Sequence, residues 1–248
     1  MDGKPRRAAL FVTCLVDQFF PEVGEGVVRV LRRLGVEVEF PKGQTCCGQV
    51  AFNSGYYREA MAAARRFLRV FRDAPALVAP SGSCVSMVRL FYPLLFRDDP
   101  AHRSQAEALA SRTYEFCQFL VRVLGVTDVG ARYPDGLTVT YHDSCHALRE
   151  LGIREEPRAL LRAVQGVRFR EYEGHEVCCG FGGTFSVKYA PISAAILEDK
   201  LHHIAASGAA VLVAPDTSCL MHMGGALRRR GMGVRPLHIA RFLADGLP

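Results

Sequence analysis

The chain has 248 residues, 49% hydrophobic and 23% charged, with 23 Gly, 13 Pro and no Trp. This composition excludes disordered, collagen-like and low-complexity chains, and the length holds one large domain or two smaller ones, each able to bury a core without disulfides. Its 31 basic residues against 25 acidic ones leave a net charge of +6, an excess too modest, without a nucleic-acid motif, to point to nucleic acid as a partner.

Lys4, Arg6 and Arg7 precede an apolar run over residues 8–16. The run is short, is followed at once by Asp17 and Gln18, and has no small-residue cleavage site. It reads as a buried strand of a cytoplasmic protein rather than an export signal. No apolar stretch reaches the ~20 residues of a membrane span. The strand is expected over residues 8–12. Pro21 then opens a helix in which Val23, Val27, Val30, Leu31 and Leu34 recur every three or four positions, closed by Gly35. A strand at 36–40 leads into a loop carrying Cys46 and Cys47. The helix expected over 56–71 puts Ala60, Met61, Ala64, Phe67, Leu68 and Phe71 on one face and Arg65, Arg66, Arg69 and Arg72 largely on the other. A strand at 76–79, a helix at 85–96 and one longer helix at 104–124 complete the first half. The second half repeats the order: strands at 137–141, 167–171 and 210–214, helices starting near Pro157 and running over 191–206 and from Cys219 to about 230, then two short segments at 234–237 and 239–243. Alternating strands and helices of these lengths predict an α/β fold of two pseudo-symmetric repeats, each a small parallel sheet flanked by helices. The modules are expected at residues 1–133 and 134–248.

Nine cysteines are many for a cytoplasmic chain, where clustered Cys more often bind metal or do redox work than form disulfides. Two adjacent pairs, Cys46-Cys47 and Cys178-Cys179, are each followed by glycine, Gly48 and Gly180. Cys14 and Cys145 precede the pairs; Cys84 and Cys219 follow them. Between halves the offsets are 131, 132, 132 and 135 residues, and the stretch Val78-Ala79-Pro80-Ser81-Gly82-Ser83-Cys84 matches Val213-Ala214-Pro215-Asp216-Thr217-Ser218-Cys219. Eight of the nine cysteines thus belong to an internal repeat. Cys117, among Phe116, Leu120 and Leu124, reads as core packing.

All eight fall in loops just after predicted strands, where open α/β sheets collect their ligands. Each repeat therefore converges four thiolates on one rim. Cys84 and Cys219 sit at expected helix starts, which favour thiolates and anionic clusters, and Gly48 and Gly180 let the backbone bring N–H donors to sulfur. Four thiolates suit zinc or an iron–sulfur cluster. Adjacent cysteines favour the cluster, because several iron atoms give two neighbouring side chains separate targets.

These motifs resemble the CCG (cysteine-rich domain) family, which includes the cysteine-rich polypeptide of heterodisulfide reductase and the iron–sulfur polypeptide of glycolate oxidase, with the strongest likeness to its lactate-utilisation branch. The resemblance runs through Phe11-Val12-Thr13-Cys14, Cys46-Cys47-Gly48-Gln49, Asn53-Ser54-Gly55-Tyr56 and the stretch from Cys178 to Lys188. It implies a cytoplasmic electron-transfer subunit that works with two other lactate-utilisation subunits, one carrying further iron–sulfur clusters, to oxidise L-lactate to pyruvate. The implied cofactor is one or two iron–sulfur clusters of the 4Fe-4S type. In the heterodisulfide reductase pattern a fifth Cys follows three residues after the last; Met87 and His222 stand there instead. That departure argues against a five-cysteine cluster and makes His222 a candidate nitrogen ligand. His142 and His175, each three residues before a patterned Cys, are candidates to tune a cluster by hydrogen bonding. A heterodisulfide-type thiol/disulfide reductase component and a zinc-stabilised scaffold are the competing readings.

Overall fold

The computed structural model describes residues 5–248; Lys4, the first of the basic residues before the apolar run, lies outside them. In the first half the elements are β1 (Arg7–Leu10), α1 (Cys14–Phe19), α2 (Pro21–Arg33), β2 (Glu37–Glu39), α3 (Gln49–Asn53), α4 (Tyr57–Val70), β3 (Leu77–Ala79), α5 (Gly82–Ser86), a π-helical turn (Met87–Phe91), α6 (Tyr92–Leu95), α7 (Pro100–Ala110), β4 (Thr113–Glu115) and α8 (Phe116–Gln118), which runs on as a second π-helical turn (Phe119–Val123). The second half contains β5 (Arg132–Tyr141), α9 (Cys145–Arg149), α10 (Glu155–Ala163), β6 (Gln165–Phe169), α11 (Phe185–Lys188), α12 (Ala190–Ala206), β7 (Val211–Ala214), α13 (Thr217–Arg229), β8 (Arg235–His238) and α14 (Ile239–Asp245). The strands form two four-stranded sheets of order β2-β1-β3-β4 and β6-β5-β7-β8, parallel throughout. The two halves are one topology used twice.

Side-chain alternation along the strands builds three cores. Ala8 and Leu10 of β1, Val78 of β3, Val139 and Tyr141 of β5 and Val213 of β7 face a core shared by both sheets, filled by α2, α8, α10 and α14. The intervening residues face outward. Ala9, Phe11, Leu77 and Ala79 meet α4, α5 and the chain around α6 and α7; Leu212 meets α12 and α13. The shared core fastens the halves together, and α2 lies so close to α14 that a Cβ on Gly26 would sit 2.9 Å from the Ala240 carbonyl oxygen.

The expected long helix over 104–124 is corrected by the structure. The chain leaves α7 at Ala110, pairs Leu77, Val78 and Ala79 of β3 with Thr113, Tyr114 and Glu115 as the edge strand β4, and only then re-enters a helix. Glu115 turns the corner: its Oε2 accepts the N–H groups of Cys117 (2.8 Å) and Gln118 (3.1 Å). His238 does the same at the equivalent corner, its Nδ1 accepting the Ala240 N–H at 3.1 Å while Nε2 donates to the Pro80 carbonyl at 3.1 Å. A capping side chain that satisfies the first helical N–H groups lets a strand pass directly into a helix.

Two measurements test these packing arguments. Gly26→Val should lower the urea midpoint, a loss of about 2 kcal/mol from overpacking α2 on α14, whereas Gly225→Ala, with open space around the added Cβ, should be neutral or gain up to about 1 kcal/mol. Equal midpoints for Gly26→Val and wild type would contradict the close helix contact. Burial raises the Glu115 carboxyl from 4.5 to about 8. A raised carboxyl contributes stability that is complete below its unfolded value and is lost as pH climbs through the folded one. Unfolding free energy should therefore decline between about pH 5 and 9, and Glu115→Gln should flatten that decline.

Candidate metal centre

The strand-to-helix turns carry the cysteines. Cys14 and Cys145 each open a short helix, α1 and α9. The residue before each stands at positive φ, Thr13 at 71° and Ser144 at 57°, and these are the non-glycine residues with that conformation among the described ones. Positive φ is unfavourable for a β-branched Thr, and such strain persists where surrounding structure over-determines it. It appears twice, at equivalent positions, each time aiming a cysteine. Cys84 and Cys219 lie in the first turns of α5 and α13; the Ser81 hydroxyl accepts the Cys84 N–H at 3.3 Å, and Asp216 accepts the Ser218 N–H at 3.2 Å. Gly48 and Gly180, at φ 85° and 88°, fold the CCG loops so that their N–H groups point at Cys46 and Cys178 sulfur, 3.4 Å in both halves.

All eight patterned cysteines line one cavity of about 380 Å³ between the two halves. In the first half Cys14 Sγ lies 3.7 Å from Cys46 Sγ, and Cys47 Sγ lies 3.5 Å from Cys84 Sγ. Contact between Cys46 and Cys47 completes a string of four sulfurs. The second half has the same string, Cys145 to Cys178 to Cys179 to Cys219. None is in a disulfide. In the first string the neighbours make Cys46 strongly acidic; in the second they do the same to Cys178 and lower Cys219 less far. Donors from Cys14 and Cys47, then Gly48, bring Cys46 down to about 2 against its burial, and Cys145, Cys179 and Gly180 hold Cys178 well below the usual thiol range. Cys14, Cys47, Cys145 and Cys179 are pushed up, first by those same contacts and then by burial. Each half thus places a thiolate among thiols whose protons a metal would displace on binding.

The histidines separate. His142 is 1% exposed, and its ligand atom lies within 4.8 Å of the sulfurs of Cys179 and Cys219, which makes these three a potential metal-binding group. Its Nε2 is buried with no protein partner. Cys219 is lowered to about 6, chiefly by the Cys179 thiol and then by His142, against burial. His222 is not among the residues lining the cavity; its Nε2 is 3.3 Å from Ser193 Oγ and its ring lies against Phe181. His175 holds Asp143 through Nδ1 at 2.6 Å. The same buried Asp143 receives both terminal nitrogens of Arg158, at 2.7 and 2.9 Å, a neutralised pair behind the second string. Cys117 is fully buried in the shared core. Sequence alone gives His142 no more weight than His175, because spacing along the chain says nothing about which ring turns inward.

The family model of the CCG cysteine-rich domain matches residues 8–89 and 139–224. The chain is 49% identical over 237 residues to lactate utilization protein A of Bacillus subtilis (strain 168), covering 96% of this chain and 98% of that one. It is 46% identical over 241 residues to lactate utilization protein A 2 of Bacillus cereus (strain 03BB102), covering 97% and 99%. Among solved structures, a hypothetical protein from Helicobacter pylori superposes with a TM-score of 0.62 at 11% identity, over 99% of this chain and 49% of that chain, a likeness of fold alone. Among the described residues no helix is long and apolar enough to cross a membrane. With its cysteine repeat, its doubled topology and near-full-length relatives, the chain belongs to the CCG cysteine-rich domain family.

Proposed function

We propose that the protein is a cytoplasmic iron–sulfur electron-transfer subunit of an assembly that oxidises L-lactate to pyruvate with two further subunits, one carrying clusters of its own. Two modules, residues 1–133 and 134–248, would each hold one 4Fe-4S-type cluster, through Cys14, Cys46, Cys47 and Cys84 in the first and Cys145, Cys178, Cys179 and Cys219 in the second. The observation that carries this reading is the convergence of all eight sulfurs on one cavity, four from each half. The donor set fits the group: free thiols strung together, at least one acidified in each half, with backbone N–H groups on sulfur and the His142 imidazole beside the second string. When bound, such a cluster supplies reversible one-electron chemistry at thiolate-ligated iron. The chain's own residues hold the thiolates, keep water from the buried Cys47, Cys84, Cys179 and Cys219, and stabilise sulfur charge through the N–H groups of Gly48 and Gly180. Lactate as the ultimate reductant is supported by the names of the relatives.

A second reading has an observation in its favour. Sulfur separations of 3.5 and 3.7 Å approach the edge, about 3.8 Å, of a thiolate tetrahedron around zinc at ~2.3 Å, which suits a zinc-stabilised scaffold. Anaerobic isolation separates the two. The iron–sulfur reading expects a brown protein with broad absorption near ~400 nm and iron with acid-labile sulfide; colourless protein with stoichiometric zinc would replace it with the scaffold. Turnover of a disulfide by the isolated chain would instead favour a reductase component. Cys47→Ser and Cys179→Ser should each lose iron with an unchanged circular dichroism spectrum, and full iron retention in both would overturn the ligand assignment.

A further inference from the structure

The two halves share a backbone but not a lining behind the cysteines. The Phe11 N–H donates to the Val78 carbonyl and the His142 N–H to the Val213 carbonyl, both at 2.9 Å, so Phe11 and His142 occupy the same place at the ends of β1 and β5. A Cβ on Gly48 would meet Ala60 and Ala63; one on Gly180 would meet Ser193 and Ile196. Ala60 and Ser193 are therefore equivalent, and seven residues further along α4 and α12 stand Phe67 and Lys200. The first half fills these two places with an edge-to-face aromatic pair, Phe11 on Phe67 with ring centroids 4.8 Å apart. The second half fills them with an imidazole and an ammonium.

Both substituents are costly to bury, and neither is idle. A ring nitrogen of His142 lies within 4.8 Å of the Cys179 and Cys219 sulfurs; its Nδ1 is 3.4 Å from the Tyr172 hydroxyl and its Nε2 is buried without a hydrogen-bond partner. Lys200, 3% exposed, donates from Nζ to the Gly174 carbonyl at 2.5 Å and lies 5.3 Å from the centre of the Tyr172 ring. Burial lowers its ammonium, while Cys179, Cys219 and Cys178 pull the other way. The acidic groups nearby do not cancel this bias. Asp143 is held by Arg158 and His175, Glu171 by Arg158, and Asp216 lies between the halves, bonded to serines of both.

Resting on the iron–sulfur reading, we infer that the second nest is the more easily reduced of the two because His142 and Lys200 stand where the first nest has Phe11 and Phe67. Reduction adds negative charge to a cluster and its sulfurs. A hydrogen-bond donor and a buried cation favour that added charge, whereas an apolar wall disfavours it. His142 and Lys200 are thus positioning residues for the cluster's electronics.

An anaerobic redox titration of the full chain, followed by electron paramagnetic resonance, tests this. Two midpoints are expected, with the higher abolished by Cys179→Ser and the lower by Cys47→Ser. His142→Phe and Lys200→Met should each move the higher midpoint to more negative potential and leave the lower in place, while Lys200→Arg retains the wild-type value. Phe11→His should raise the lower midpoint, a test that leaves the second half untouched. Loss of the higher midpoint in Cys47→Ser, or midpoints indifferent to His142→Phe, Lys200→Met and Phe11→His, would overturn the inference while leaving the clusters assigned. Absence of iron and sulfide from the wild-type chain would instead overturn the iron–sulfur reading beneath it.

Discussion

The arrangement depends on one buried carboxylate. Asp216, 2% exposed, accepts the Ser81 hydroxyl at 3.2 Å and the Ser83 N–H at 3.0 Å from the first half, and the Ser218 N–H and hydroxyl at 3.2 and 2.6 Å from its own. A buried charge is tolerated when hydrogen-bond donors surround it, and here the donors come from the helix starts that carry Cys84 and Cys219. Ser81 and Asp216 also form an antiparallel bridge. Strand ends that would each face solvent in a separate module are thereby held against one another, and two rims become the walls of one cavity.

Close packing around this point leaves little freedom. A Cβ on Gly82 would lie 2.7 Å from the Ala147 side chain, so α5 and α9 meet almost backbone to backbone beside Cys84 and Cys145. On the opposite side of the sheets, α2 with α14 and α8 with α10 fill the shared core. The strained conformations at Thr13 and Ser144 are sustained between these contacts, since a rigid surround can hold a residue away from its preferred backbone region. Duplicating a module thus preserved the device that aims the cysteines, while the side chains behind them diverged in polarity.

Much of this is legible from local signals. The α2 and α4 helices show as apolar stripes at helical spacing, and β3 and β7 as short apolar runs ended by Pro80 and Pro215. The edge strand β4 escapes because Thr113, Tyr114 and Glu115 lie between two helical stretches with apolar residues at helix-compatible spacing. Pairing with β3, a non-local contact, decides the strand. The internal repeat contains a usable clue, since the short segment of residues 234–237 is the counterpart of β4 and argues against a continuous helix in the first half. His142 and His175 carry the same local signal because both precede a cysteine by three residues; only the fold buries one against sulfur and ties the other to Asp143.

By itself the sequence determined the doubled α/β module, the eight cysteines that belong together and the family, because repetition, spacing and hydrophobic period are properties of the chain read in order. The tertiary structure decided that the two sets of four share one cavity, that His142 is buried beside the Cys179 and Cys219 sulfurs, and that a cation stands behind one set and an aromatic pair behind the other. These facts depend on how two sheets are set against each other through a common core and a single carboxylate. No local pattern encodes that relation, because the groups that create it are far apart along the chain.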